Sequence, residues 1–220
     1  MAKSKRNKIV PLTQTDKKGR AGKDALYEQI RESTDLYKYI WIFSVENMRN
    51  TYLKTVRSEW KTSRFFFGRT KVMAKALGTS PEDEHKDNLH KLSEQLVGHV
   101  GLLFTNSEPD EVREFFANYT ESDFARSGIK ATSTYVVPAG PVYRGEEVFP
   151  HNMEPQLRSL GMPTVLNNGI VTLTNEYRVC KEGQTLTPEQ AQLLKLFHVQ
   201  MAEFHVTLKS YYHEGHIHRA

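Results

Sequence analysis

The run Tyr39-Ile40-Trp41-Ile42-Phe43-Ser44-Val45 is apolar on both faces. So short a run reads as a strand buried on both sides, as in a parallel sheet. Two further runs have the same texture, Arg64-Phe65-Phe66-Phe67-Gly68 and Val100-Gly101-Leu102-Leu103-Phe104-Thr105. Helical spacing fills the intervals. Leu26, Ile30, Thr34 and Tyr37 precede the first strand, and Asp24 is placed to cap that helix. Met48, Tyr52, Val56 and Trp60 recur at four-residue steps, which marks an amphipathic helix. Thr70 to Leu77 forms a short helix closed by Gly78, and Leu89, Leu92, Leu96 and Val97 place another before Gly98. Ser107 caps a helix with Pro109 near its start, carrying Val112, Phe115, Phe116 and Tyr119. Strand and helix alternating three times predict an α/β layer with right-handed crossovers.

From about Ser122 the texture changes. Five of the nine prolines lie between Ser133 and Lys181. Tyr135-Val136-Val137 is a short strand stopped by Pro138, and Met153, Leu157 and Leu160 form a two-turn helix ended by Gly161. Asn168-Gly169 between Val165-Leu166-Asn167 and Ile170-Val171-Thr172-Leu173 signals a hairpin with a type I′ turn, which needs positive φ at both central residues. Thr187-Pro188-Glu189-Gln190 then carries an N-cap, a proline at the first helical position and a capping-box partner. Phe204, Val206 and Leu208 alternate with His205, Thr207 and Lys209, a half-buried strand. The chain therefore divides into a basic flexible tail (1–23), an α/β domain (24–125 and 185–212) and an inserted small α+β module (126–184).

A chain of 220 residues, 38% hydrophobic and 25% charged, has material for a core and is not wholly disordered. No apolar run reaches the length of a membrane span, and the charged start lacks the apolar stretch of a signal peptide. The single cysteine, Cys180, cannot form an internal disulfide, which suits a reducing, intracellular compartment. The net charge of +4 is uneven. Residues 1–23 hold eight basic side chains and one acid, a net +7, which leaves −3 for the other 197. A near-neutral body with a cationic head is the form of a nucleic-acid binder, or of a chain with a basic import address.

No catalytic motif is present. Gly19-Arg20-Ala21-Gly22-Lys23 lacks the spacing of a phosphate-binding loop, and no strand precedes it. Cys180 reads as a small apolar filler. His213, His216 and His218 can hold a metal only weakly, or form a plain polar end, and no metal site or cofactor is expected. The acidic Glu82-Asp83-Glu84 reads as the first turn of a helix. Two basic sets remain. Lys17, Lys18, Gly19, Arg20 and Lys23 precede the first helix, where cations and helix-start amides can face one phosphate stretch. Arg69, Thr70, Lys71 and Lys75 follow the strand that ends at Gly68, at the kind of strand-to-helix junction where ligands gather in open α/β sheets. Neither set carries an aromatic ladder, so the expected mode is shape and phosphate recognition of folded RNA.

The segment Gly68-Arg69-Thr70-Lys71-Val72-Met73-Ala74-Lys75-Ala76-Leu77 resembles the strand-to-helix signature of the large-subunit ribosomal stalk-base proteins, the P-zero and L-ten group. Four other blocks resemble the mRNA turnover protein 4 family, eukaryotic ribosome-assembly factors related to that group. They are residues 12–20, Tyr135-Val136-Val137-Pro138-Ala139-Gly140-Pro141-Val142, Met153 to Thr164, and Leu186 to Phe197. The resemblance implies an α/β sandwich of the stalk-base type with an inserted small α+β domain. It also implies a non-enzymatic role in large-subunit biogenesis on nucleolar and nuclear precursor particles, with possible shuttling to the cytoplasm. The factor would bind rRNA of the GTPase-associated centre beside an L-eleven-type ribosomal protein. It would act as a placeholder that the stalk protein replaces after a phosphatase-like release factor acts. No membrane and no small-molecule substrate are implied. The alternative is a truncated mature stalk-base protein. The missing acidic tail and the Thr15 to Arg20 block favour the assembly factor.

Overall fold

In a computed structural model of the chain, the structure describes residues 19–220. Among them, seven α-helices and thirteen strands follow in chain order. The first part holds α1 (Ala21–Leu36), β1 (Tyr39–Glu46), α2 (Asn50–Glu59), β2 (Arg64–Phe66), α3 (Thr70–Leu77), α4 (Leu89–Ser93), β3 (Val100–Thr105), α5 (Pro109–Asn118) and β4 (Thr120–Asp123). The middle holds β5 (Tyr135–Val137), β6 (Gly140–Pro141), β7 (Tyr143–Arg144), β8 (Glu147–Val148), α6 (Glu154–Ser159), β9 (Thr164–Asn167), β10 (Ile170–Leu173) and β11 (Tyr177–Cys180). Last come α7 (Pro188–Leu196), β12 (Ala202–His213) and β13 (His216–Arg219).

The main sheet runs β13-β12-β1-β3-β2, with β4 also on β12. Every neighbouring pair is antiparallel. This corrects the parallel sheet read from the run 39–45. The burial of that run is real, since Tyr39 through Phe43 are all buried. Its cause is helices on both faces, which a strand of either direction can satisfy. Ile40 and Ile42 meet Ile30 of α1, Met73 and Leu77 of α3, and Leu89 and Leu92 of α4. Trp41 and Phe43 point the other way, to Leu53 and Val56 of α2 and to Val112 and Phe116 of α5. β1 and β2 do run in the same direction. Two helices, α3 and α4, return the chain so that β3 slots between them reversed.

The middle segment builds its own core around Val142, Phe149, Leu157, Met162, Val171 and Val179. The Asn168-Gly169 turn has φ of 50° and 80°, the double positive φ of the expected hairpin. Thr187 and Gln190 form the capping box of α7. Leu193 and Leu194 of α7, with Phe197 at its C-cap, belong to this inserted core, and the Phe197 ring lies 5.0 Å from that of Phe149, centroid to centroid. The helix expected to belong with the α/β domain therefore packs on the insertion, and we propose that the chain re-enters the sheet near residue 201, with β12.

Smaller differences have local causes. α1 begins at Ala21 with Arg20 as N-cap, one turn earlier than a cap at Asp24, and α5 is preceded by Glu108 rather than a capping Ser107. Glu84 lies in the loop before α4 and not in a helix; its carboxylate accepts the N–H groups of Asn88 and His90 at 3.0 and 3.3 Å. No helix among the described residues is long and apolar enough to cross a membrane.

Candidate nucleic-acid interface

Gly68 explains how the two basic sets meet. A Cβ there would lie 2.7 Å from Leu26 Cδ2, so α1 rests directly on the backbone where β2 turns into α3. Farther along, the Arg31 Nε donates to the Ala76 carbonyl at 3.3 Å. The contact pairs advance together, 26 with 68 and 31 with 76. α1 and α3 therefore lie side by side and point the same way, and their N-termini share one end of the sheet. Both helix dipoles present their positive ends there.

At this end Gly19 turns with φ 48°, Arg20 caps α1, and Lys23 is exposed in the first helical turn. Lys23 is thus helical and not part of a flexible tail. Lys17 and Lys18 lie outside the described residues. Arg69 caps α3 in extended conformation without a side-chain cap, and Thr70 is half-buried in its first turn. Among the described residues no acceptor takes the Thr70 or Lys71 N–H, whereas those of Val72 and Met73 bond to the Arg69 carbonyl. Unpaired first-turn amides of this kind are anion-binding groups. Arg69, Lys71 and Lys75 are exposed, and none forms an ion pair among the described residues. Arg20 meets Asp24 at 3.8 Å with both side chains largely exposed, a contact of little energetic weight. Lys75 sits a turn farther from the end than Arg69 and Lys71. The site is an exposed cationic end with free amides. It can neutralise phosphates.

The histidines expected at a polar end lie in the β12–β13 hairpin. His213 stacks on Tyr39 with ring centroids 4.4 Å apart, and His218 on Tyr211 at 4.8 Å. No group of three or more metal-ligating side chains converges among the described residues. Cys180 is buried, with Sγ 3.7 Å from the Ser133 carbonyl.

Two family models match the chain: "Ribosomal protein L10" over residues 18–121, and the insertion domain of the 60S ribosomal protein of that group over residues 125–199. "Ribosome assembly factor mrt4" of Schizosaccharomyces pombe is 54% identical over 220 residues, covering 96% of this chain and 91% of that protein. "Ribosome assembly factor MRT4" of Saccharomyces cerevisiae is 40% identical, covering 96% and 94%. The chain belongs to the Mrt4 family of ribosome assembly factors. "Large ribosomal subunit protein uL10" of Pyrococcus furiosus is more distant, 29% identical over 130 residues and matched over 37% of its length. The insertion match in this Mrt4-family chain ends at residue 199, after α7, in step with the core that α7 joins.

Sequence reading overlooked the part that Leu26 and Arg31 play in aligning α1 with α3. The available signal was Gly68 itself, a residue without a side chain just before a cationic helix start.

Proposed function

We propose that this chain is an assembly factor of the large ribosomal subunit that binds rRNA at the stalk base. The parallel packing of α1 and α3 carries this reading, since it places two helix N-termini, Arg20, Lys23, Arg69 and Lys71 at one exposed end. Phosphates are the natural counter-charge for such a surface. Lys17, Lys18 and Gly19 would extend it at the front and Lys75 along α3. Family membership supports the assembly role, and the relation to stalk-base proteins supports the choice of rRNA. Two proteins with the same rRNA-binding end exclude one another, so the factor holds the site as a placeholder until the stalk protein takes it. Its neighbours would be an L-eleven-type ribosomal protein and other precursor factors, with a phosphatase-like release factor ending its stay, in the nucleolus and nucleus. Nothing in this role calls for catalysis or a cofactor.

The test is a pull-down of precursor large subunits through the tagged chain, scored for the stalk protein. Wild type should recover precursor rRNA without the stalk protein, and the variant Lys23→Glu with Arg69→Glu and Lys71→Glu should recover little rRNA. Recovery of both proteins on one particle, bound to the same rRNA, rejects the placeholder.

A further inference from the structure

We infer that the cleft between the α/β sheet and the inserted module is a second RNA site, which takes the phosphate backbone of a strand; this rests on the rRNA-binding reading above. The cleft encloses about 680 Å³. Arg49 and Phe124 line it from the α/β side and the linker, Arg126 from the linker, Arg144 from the insertion, and Lys195 and His198 from α7 and the turn after it. No carboxylate is among its lining residues. Asp123 pairs with Arg49, and Glu147 stands 3.7 Å from Arg144 with most of its side chain in solvent. Arg126 and Lys195 are exposed and form no ion pair among the described residues.

The cleft is built before any ligand arrives. Arg49 binds the Asp123 carboxylate and donates from Nη2 to the Phe124 carbonyl at 3.0 Å, which pins the linker to the start of α2. Phe124 and His198 both line it, with ring centroids 6.4 Å apart, and aromatic rings can stack on a base. Guanidinium groups match phosphate oxygens in geometry as well as charge.

Continuity selects RNA over an acidic peptide. β1 and β2 run the same way on either side of β3. Arg49 follows the end of β1 and Arg69 the end of β2, so both leave the sheet at one end. Two strand spacings, about 10 Å, separate those strands. An RNA element held at the α1–α3 end therefore passes toward the cleft with its regular charge intact. RNA seated there touches both modules and fixes the direction in which the insertion points.

The experiment is a salt titration of binding by the full chain to transcribed stalk-base rRNA, with folding checked by circular dichroism. Removing two phosphate contacts through Arg126→Gln with Lys195→Gln should lower the log–log slope by about 1.5. The exposed pair Arg178→Gln with Lys181→Gln, outside the cleft, should leave it unchanged. An equal fall for both pairs means net charge alone and overturns the cleft. An unchanged slope for the cleft pair, with binding weakened by Arg69→Glu and Lys71→Glu, overturns the cleft and leaves the rRNA reading standing. Wild type that fails to bind the transcript overturns both. Binding of a polyglutamate peptide that the cleft pair abolishes, with the RNA slope unchanged, assigns the cleft to an acidic protein segment and overturns RNA.

Discussion

Gly101 shows how little room the centre of the sheet leaves. It pairs with Phe43 across β1 and β3, and a Cβ would fall 2.5 Å from Phe43 Cζ and 2.8 Å from the Phe66 carbonyl. One of these neighbours is backbone, so the strand must move. Gly101→Ala should cost about 1–3 kcal/mol, read as a lower urea midpoint, and an unchanged midpoint would mean β2 yields freely. Glu84 is a second informative residue. A hydrogen bond with His90 Nδ1 at 2.5 Å, aided by the Asn88 and His90 N–H groups, holds its carboxyl below the ordinary glutamate range against the effect of burial. A lowered native pKa contributes stability above the unfolded value of about 4.3, and that contribution is lost as pH falls through the lowered value. Glu84→Gln should therefore be less stable than wild type at pH 7, with the gap closing in strong acid. Equal stabilities at pH 7 would show that the His90 contact is idle.

Helices in this chain take their roles from what they pack on. α3 is short, but with α1 beside it the two positive helix ends add at one place. α7 is well capped, with Thr187 accepting the Gln190 N–H at 3.3 Å and the Gln190 side chain accepting the Thr187 N–H at 3.0 Å. Its apolar side chains serve the inserted core. Thr187→Ala should cost about 0.5–2 kcal/mol and speed amide exchange in β11, with β1 and β3 unaffected. Faster exchange in β1 would attach α7 to the main sheet after all.

The whole molecule is a helix-covered sheet interrupted by a module, and the junction is narrow. β4 and β12 pair beside it, Asp123 with Ala202. Deletion of residues 126–184 would strand Leu193, Leu194 and Phe197 without a core and should give an aggregation-prone protein. Deletion of residues 125–200 with a short Gly-Ser bridge removes the core intact. It should leave a cooperatively melting α/β domain that still binds rRNA, because Arg20, Lys23, Arg69 and Lys71 lie outside it. A smooth, non-cooperative melt of the longer deletion by circular dichroism would refute the division.

Local chemistry made much of this legible from the chain alone. Thr70 to Leu77 with Gly78, the Asn168-Gly169 hairpin and the Thr187 capping box depend on neighbours within a few residues, and all three stand where their spacing puts them. The basic residues at 20, 23, 69 and 71 were equally visible, because charge is a property of the side chain. Strand direction was not. Burial of Ile40 and Trp41 on opposite faces reports that both faces are covered and is silent on which way the neighbours run. The allegiance of α7 was hidden for a similar reason, since Leu193 and Phe197 suit any apolar core. The meeting of α1 with α3, and the cleft from Arg49, Arg126, Arg144 and Lys195, join residues far apart in sequence. Only the folded backbone brings such positions together, and no spacing along the chain records it.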